Sequence, residues 1–248
     1  MFTKKGGGDV PEDIVKFCRR EKKYLIDDGI KQKLLLRIAG SLIPDVHGKS
    51  TVMSAYLDTP DFRMIRESME KKTYKEKLRI RSYGTPSDDS KVFLEIKKKF
   101  MGTVYKRRVS MAYSQVCDYL QTRKSPLDCQ IMREIDYAVA FHGDPAPAAV
   151  ISYEREAYTV KGERSLRITF DTGIRYRMDD LSLKSGSDGK KLISDGAVLM
   201  EIKSSEGMPL WLVKALDELK IYPVSFSKYG TAYTDYIKNK GKGKINYA

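Results

Sequence analysis

Cationic residues recur at alternate positions in several apolar segments of this chain, and that alternation constrains its fold more than any other feature. Side chains on a β-strand point to opposite faces in turn. In KLRIRSY, Lys77, Arg79, Arg81 and Tyr83 share one face, with Leu78 and Ile80 on the other. In VFLEIKK, Glu95 and Lys97 oppose Val92, Leu94 and Ile96. In SLRITFD, Arg167, Thr169 and Asp171 oppose Leu166, Ile168 and Phe170; in VLMEIKS, Glu201 and Lys203 oppose Val198, Met200 and Ile202. Tyr153 and Arg155 share a face of SYEREAY, as Lys106 and Arg108 do in TVYKRRV. One such strand describes an ordinary sheet, with one face on helices and one in water. Here the pattern recurs over many strands, and its polar faces are mostly Arg and Lys with sparse Glu. A barrel accommodates this by turning apolar faces outward onto helices and charged faces onto a wet lumen. Cations held that close repel unless an anion lies between them. The pattern therefore predicts a bound polyanion, most simply a chain of phosphates, gripped bidentately by Arg and by Lys as a point charge.

Charge and composition agree with this reading. Lys plus Arg number 46 against 33 Asp plus Glu, a formal net charge of +13 in 248 residues. With 41% hydrophobic residues the chain can bury a core, which excludes a disordered basic tail protein. Cys18, Cys117 and Cys129 are too few and too scattered for a disulfide framework or a structural zinc site. His47 and His142 are the only histidines, and neither falls in a predicted strand, so no nucleophilic triad is indicated. There is no apolar run of 18 residues and no secretory h-region, which gives cytoplasmic as the expected compartment. Both G-x-x-x-x-G-K-[ST] and G-x-G-x-x-G are absent. A phosphate-binding chain without such a loop has to grip phosphates with side chains.

Strand patterns fall at 17–26, 50–58, 76–83, 91–98, 104–111, 150–160, 165–171 and 197–204. Helical spacing falls at 29–43, capped by Asp27 or Asp28, and at 61–70, 115–123 (capped by Ser114), 128–142 and 210–220. The fold class is α+β: an eight-stranded antiparallel β-barrel tunnel with a charged lumen and helices packed outside. One domain spans 13–238, with 1–12, including Gly6–Gly8, and 239–248 as flexible tails. Among the sparse acids, Glu201 beside Lys203 is placed to hold Mg²⁺ or Mn²⁺ bridging phosphate oxygens; a charge partner for neighbouring arginines is its simpler role. Cys18 reads as a packing residue.

REKKYLI (20–26), SAYLDTPDF (54–62), KEKLRIRSYG (75–84), VFLEIKKK (92–99), VYKRRV (104–109), ISYEREAY (151–158), LRITFDTGI (166–174), LMEIKSS (199–205) and VSFSKYGTAY (224–233) together resemble the VTC domain. That is the polyphosphate polymerase domain of vacuolar transporter chaperone complexes, within the triphosphate tunnel metalloenzyme or CYTH-like superfamily. The resemblance implies a tunnel of eight antiparallel strands and transfer of the γ-phosphate of ATP to a growing polyphosphate, releasing ADP, with Mn²⁺ or Mg²⁺. It implies that Arg79 and Arg81 are paired phosphate clamps, and that Lys97, Lys106 and Arg108 continue the grip. Tyr153 and Arg155 match the family's Y-x-R, Arg167 its R-I-x-x-D-T strand, and Ser227 and Lys228 its F-S-K segment. Glu201, followed by Lys203, resembles the metal-binding glutamate. Arg79, Arg81, Lys97, Lys106 and Glu201 are the residues expected to carry catalysis. Where the superfamily has E-x-E-x-K in its first strand, this chain has Arg19, Glu21 and Lys23, which weakens the case for a second carboxylate on the metal and with it the case for a hydrolase. Arg19 and Lys23 read equally well as a solvated strand edge.

The expected partners are ATP and polyphosphate or pyrophosphate, with no nucleic acid; a membrane-bound partner stays open. A tripolyphosphatase or nucleoside triphosphatase in the same tunnel, and a non-catalytic polyphosphate-binding module, are the competing readings. A nucleic-acid binder would expose aromatics among its cations; Tyr119, Tyr137 and Tyr236 fall instead on helical faces where burial would account for them. A pure scaffold would leave the cationic faces without a reason.

Overall fold

The computed structural model describes residues 20–242 other than 71, 102 and 206; the leader, Cys18 and Arg19 lie outside them. In chain order the elements are β1 (Arg20–Asp27), α1 (Asp28–Ile38), β2 (Leu42–Asp58), α2 (Arg63–Met69), β3 (Tyr74–Tyr83), β4 (Lys91–Phe100) and β5 (Thr103–Ala112). There follow α3 (Tyr113–Thr122), α4 (Gln130–Phe141), β6 (Ala146–Val160), β7 (Glu163–Arg177), the two-residue β8 (Lys190–Lys191), β9 (Ala197–Ser204), α5 (Leu210–Glu218) and α6 (Lys228–Lys242). The main strands form one antiparallel sheet in the order β1-β9-β7-β6-β2-β3-β4-β5, with β8 paired to β7. Each predicted strand is found within the described residues, but the expected closure is not: β1 pairs with β9 and β5 with β4, no pairing joins β1 to β5 among the described residues, and the sheet is open. Its two ends nonetheless approach, because Lys97 of β4 lies 3.6 Å from Glu21 of β1.

Three apolar clusters divide the molecule. Leu78, Ile80, Leu94, Ile96, Val109 and Met111 pack against Val116 and Tyr119 of α3 and Met132, Ile135 and Val139 of α4. Tyr24, Ile168, Phe170, Met200 and Ile202 pack against Leu34 and Ile38 of α1 and Leu212 and Leu216 of α5. Both clusters use the faces opposite the cations, as the alternation predicts. The third lies on the cationic side, where Val52, Tyr56, Ile151, Tyr153, Ile174, Tyr176 and Leu199 meet Tyr229 and Ala232 of α6, with Tyr233 and Tyr236 alongside. Helix α6 thus fills one end of the concave face. A β-bulge allows this. The β6–β7 register shifts between Ser152↔Arg175 and Glu154↔Thr172, with Gly173 at φ +57°. Beyond the extra residue, Ile174 and Tyr176 point inward, while Arg175 and Arg177 turn outward to donate to carbonyls of the 180–189 loop.

Several sequence expectations need correction. Residues 239–242 continue α6 rather than fraying, and positions 243–248 lie outside the described residues. Helix α3 starts at Tyr113, and Gln115 Oε1, not Ser114, accepts a hydrogen bond at its start, from the Ala112 N–H. Strand β2 begins at Leu42, so His47 does lie in a strand. Tyr119 is buried and Tyr236 half-buried, but Tyr137 is exposed and stacks on Phe141. Helix α1 starts as read, with Asp27 Oδ1 accepting from Ile30 N.

Asp58 joins β2, α2 and α6. Its buried carboxylate accepts from the backbone N–H groups of Thr59, Met64 and Ile65 and from the Tyr229 hydroxyl at 2.9 Å. Phe62, at the N-cap of α2 in the left-handed region, makes no side-chain cap, so Asp58 supplies it. Asp58→Ala would strand several buried donors at once. We expect a loss of about 3 kcal/mol or more in unfolding free energy, read by urea titration. A loss below about 1 kcal/mol would show that these donors find other partners.

Candidate active site

The register assembles the cations in rows across the concave face. Lys77, Lys97 and Lys106 lie side by side on β3, β4 and β5. The next row is Tyr56, Arg79, Glu95 and Arg108, and the one beyond it includes Ser54, Arg81 and Phe93. On the facing strands Lys23 pairs with Glu201, and Glu201 in turn with Thr169; Glu21 pairs with Lys203, and Lys203 in turn with Arg167.

Internal carboxylates hold the arginines in place. Glu95, almost fully buried, receives Arg79 Nε at 2.7 Å and stands 2.6 Å from Lys106 Nζ. Burial alone would raise the Glu95 carboxyl, but Arg79, Arg81 and Lys106 hold it far below the usual carboxylate range. Arg79 also donates to the Tyr56 hydroxyl at 3.2 Å, and Arg81 to Ser54 Oγ and the Tyr153 hydroxyl, each at 3.3 Å. Burial would push the Tyr56 phenol up; Arg79, Lys77 and Arg81 bring it down to about 8 instead.

Glu201 sits in a cage of cations: Lys203 at 3.1 Å, Lys23 and Lys228 at 3.7 Å, and Arg155 at 3.9 Å. Together they outweigh burial and keep its carboxyl well below the ordinary range. Asp171 is clamped by Arg155, through Nε at 2.6 Å and the far nitrogen at 2.7 Å, and by Lys228 at 2.6 Å. Lys228 further lies 4.4 Å over the Tyr153 ring. Its position follows from Ser227, whose hydroxyl accepts from Gly230 N and so caps α6, while also accepting from Lys77 at 3.1 Å.

Most sequence-predicted residues are therefore brought together: Lys23, Arg79, Arg81, Lys97, Lys106, Arg108, Tyr153, Arg155, Glu201, Lys203, Ser227 and Lys228. Arg167 is the exception. Although in register with Lys203, it is exposed and reaches away to Asp45 at 2.7 Å. Lys77, Tyr56, Asp171 and Glu21 were not selected as site residues. Lys77 and Asp171 share faces already identified as cationic, so the alternation itself could have found them. Glu21 stands beside Glu201: the two charges repel, and Lys23 pairs with both, at 3.2 and 3.7 Å. Burial opposes its ionisation, yet Lys97, Lys203 and Lys23 bring the Glu21 carboxyl down to about 2.

The donors fit a divalent ion in one way only. Among the described residues no three His, Cys, Asp or Glu side chains are grouped to hold a metal. Glu201 with Glu21 offers the one or two carboxylates that suit Mg²⁺ or Mn²⁺ when phosphate oxygens complete the shell. An all-protein cage is not present among the described residues.

The lysines are poised to respond to an anion. Burial lowers Lys106 to about 7, with Arg79 and Arg81 adding to the effect and Glu95 opposing it. Burial likewise lowers Lys77 to about 8, with Lys97, Lys23 and Arg79 contributing. A bound polyanion favours the ammonium forms and raises both values. Binding of tripolyphosphate at pH 8 should therefore take up protons, and affinity should fall as pH rises from 7 to 9. The check is titration calorimetry in two buffers of different ionisation enthalpy; identical heats in both would refute the coupling. Folding follows the same linkage. An unfolded lysine titrates near 10.4, so these two groups make the free protein more stable as pH rises from about 7 toward 10.

Comparison with known proteins decides the family. A family model described as the VTC domain matches residues 18–236. The chain belongs to the VTC domain family. No curated protein matches it. Among solved structures, a candidate adenylate cyclase from Bacillus halodurans shares the fold at a TM-score of 0.53 and 12% identity, covering 85% of the VTC chain and 95% of its own. A Hippeastrum candidate adenylyl cyclase with a dominant triphosphatase activity aligns over 87% and 95% of the two chains, at 13% identity and a TM-score of 0.48. No helix of this VTC chain, among the described residues, is long and apolar enough to cross a membrane.

Proposed function

We propose that the protein is a metal-dependent ATP–polyphosphate phosphotransferase. The observation that supports this most is the convergence of Lys23, Lys77, Arg79, Arg81, Lys97, Lys106, Arg155, Lys203 and Lys228 on one concave face around Glu95, Asp171 and Glu201. In the transfer, a terminal phosphate oxygen of the chain attacks the γ-phosphorus. The β–γ bridging bond breaks, and ADP leaves with the bond's electron pair. The attacking oxygen is already ionised at neutral pH, so no general base is needed. The protein's work is positioning and neutralisation of charge. The Arg79–Glu95 and Arg155–Asp171 pairs hold two guanidiniums rigid before substrate arrives. Lys77, Lys97 and Lys106 supply charge along one row. Glu201 and Glu21 would hold a divalent ion, which would supply positive charge against the charge developing on the transferred phosphate.

Hydrolysis of tripolyphosphate or a nucleoside triphosphate in the same place is the second reading. Glu21 beside Glu201 favours it, since a second carboxylate is retained despite Arg19. Incubating the purified protein with ATP and Mn²⁺ and resolving the products by gel separates the two. Long polyphosphate with ADP supports the phosphotransferase; orthophosphate alone supports the hydrolase; no turnover with retained tripolyphosphate binding supports a binding module.

A further inference from the structure

Toward Tyr83 the cationic face ends in aromatic rings. Tyr83 follows Arg81 by two residues on β3, so both point to the concave side, about 7 Å apart along the strand. Phe93 lies opposite Arg81 in the β3–β4 register. The Tyr83 and Phe93 rings meet edge to face, with centroids 6.1 Å apart and planes at 86°. Over the Phe93 ring stand the Arg108 guanidinium at 4.7 Å and the Lys91 ammonium at 5.9 Å. Tyr83 is 55% exposed, although its strand is flanked on both sides. Val52, opposite Tyr83 in the β2–β3 register, is buried in the cluster with α6, whereas the Tyr83 ring beside it stays exposed.

An exposed ring, braced by a second ring and set one ribose-length beyond a phosphate-gripping arginine, has the chemistry of a base-stacking surface. A bare phosphate chain has no use for it. We propose that Tyr83, braced by Phe93 and flanked by Arg108, stacks the nucleobase of a nucleoside triphosphate whose phosphates run inward from Arg81. This rests on the phosphate-site reading above and adds to it the part of the substrate that is not phosphate. Stacking of this kind tolerates every base, so ATP and GTP should bind alike.

The test measures dissociation constants by calorimetry for two ligands, tripolyphosphate and β,γ-imido-ATP, on the full chain. Tyr83→Ser should weaken β,γ-imido-ATP by roughly 5- to 150-fold and leave tripolyphosphate unchanged. Tyr83→Phe should restore the nucleotide affinity. Tyr83→Trp should be quenched by the nucleotide and not by tripolyphosphate. Equal affinities of Tyr83→Ser and wild type for the nucleotide, or an equal loss for both ligands, would overturn the stacking role while leaving the phosphate site standing. A wild-type protein that binds neither ligand overturns the phosphate site, and the stacking role with it.

Discussion

Glu201→Gln should abolish metal-dependent turnover and, at the same time, tighten metal-free binding of tripolyphosphate. The two effects share one cause. Glu201 neutralises Lys203, Lys23, Lys228 and Arg155 in the absence of ligand. Removing its charge frees those cations for phosphate, so the metal-free dissociation constant should fall, by about 10-fold if one pair's worth of roughly 1.4 kcal/mol is released. The same change deletes the carboxylate best placed for a divalent ion, and turnover should drop by at least about 10²-fold, the scale seen when one electrostatic contact to a transition state is lost. Circular dichroism and the urea midpoint report whether the fold survives. Undiminished activity would remove Glu201 from the metal site; weaker metal-free binding would contradict the cage.

The second large effect is expected at Arg81. Arg79 is a poor first target, because its loss leaves Glu95 buried without its main partner, and breaking a buried pair costs about 3–5 kcal/mol of stability. Among the described residues Arg81 donates to the Ser54 and Tyr153 hydroxyls, so Arg81→Ala takes no hydrogen bond from a buried carboxylate. It should weaken tripolyphosphate and ATP binding by roughly 30- to 5,000-fold, the range for truncating one member of a buried charged pair. Doubling it with Arg79→Ala, in a background of Glu95→Gln, should flatten the salt dependence of binding as well, since fewer anion–cation contacts are screened. Unchanged affinity and unchanged salt dependence would place the phosphates elsewhere.

Much of this site was legible because period-two alternation depends on the backbone alone. Once Arg79 and Glu95 were read as facing the same way as Arg81 and Lys97, any antiparallel pairing of their strands had to bring them into rows. Three things were beyond that rule. Alternation says which face a residue takes but not how far a long side chain travels along it, so Arg167 was placed inward although it reaches to Asp45. It also says nothing about edge pairing, and the expected closure of the sheet was not found. Finally, the predicted strand stopped at Asp171, before Gly173, and so missed the reversal of faces that follows. Tyr229, Ala232, Tyr233 and Tyr236 do carry helical spacing, but the polar residues between them and the lysines after them obscured an apolar stripe that has meaning only against the wall it covers.

That single inserted residue has a directional consequence. Without it, Arg175 and Arg177 would replace Ile174 and Tyr176 beneath α6, and a tyrosine-rich helix could not seat on two guanidiniums. With it, Ile174 and Tyr176 meet the tyrosines of α6, the groove is stopped at that end, and any linear anion bound on the cationic face would have to enter and leave by the other.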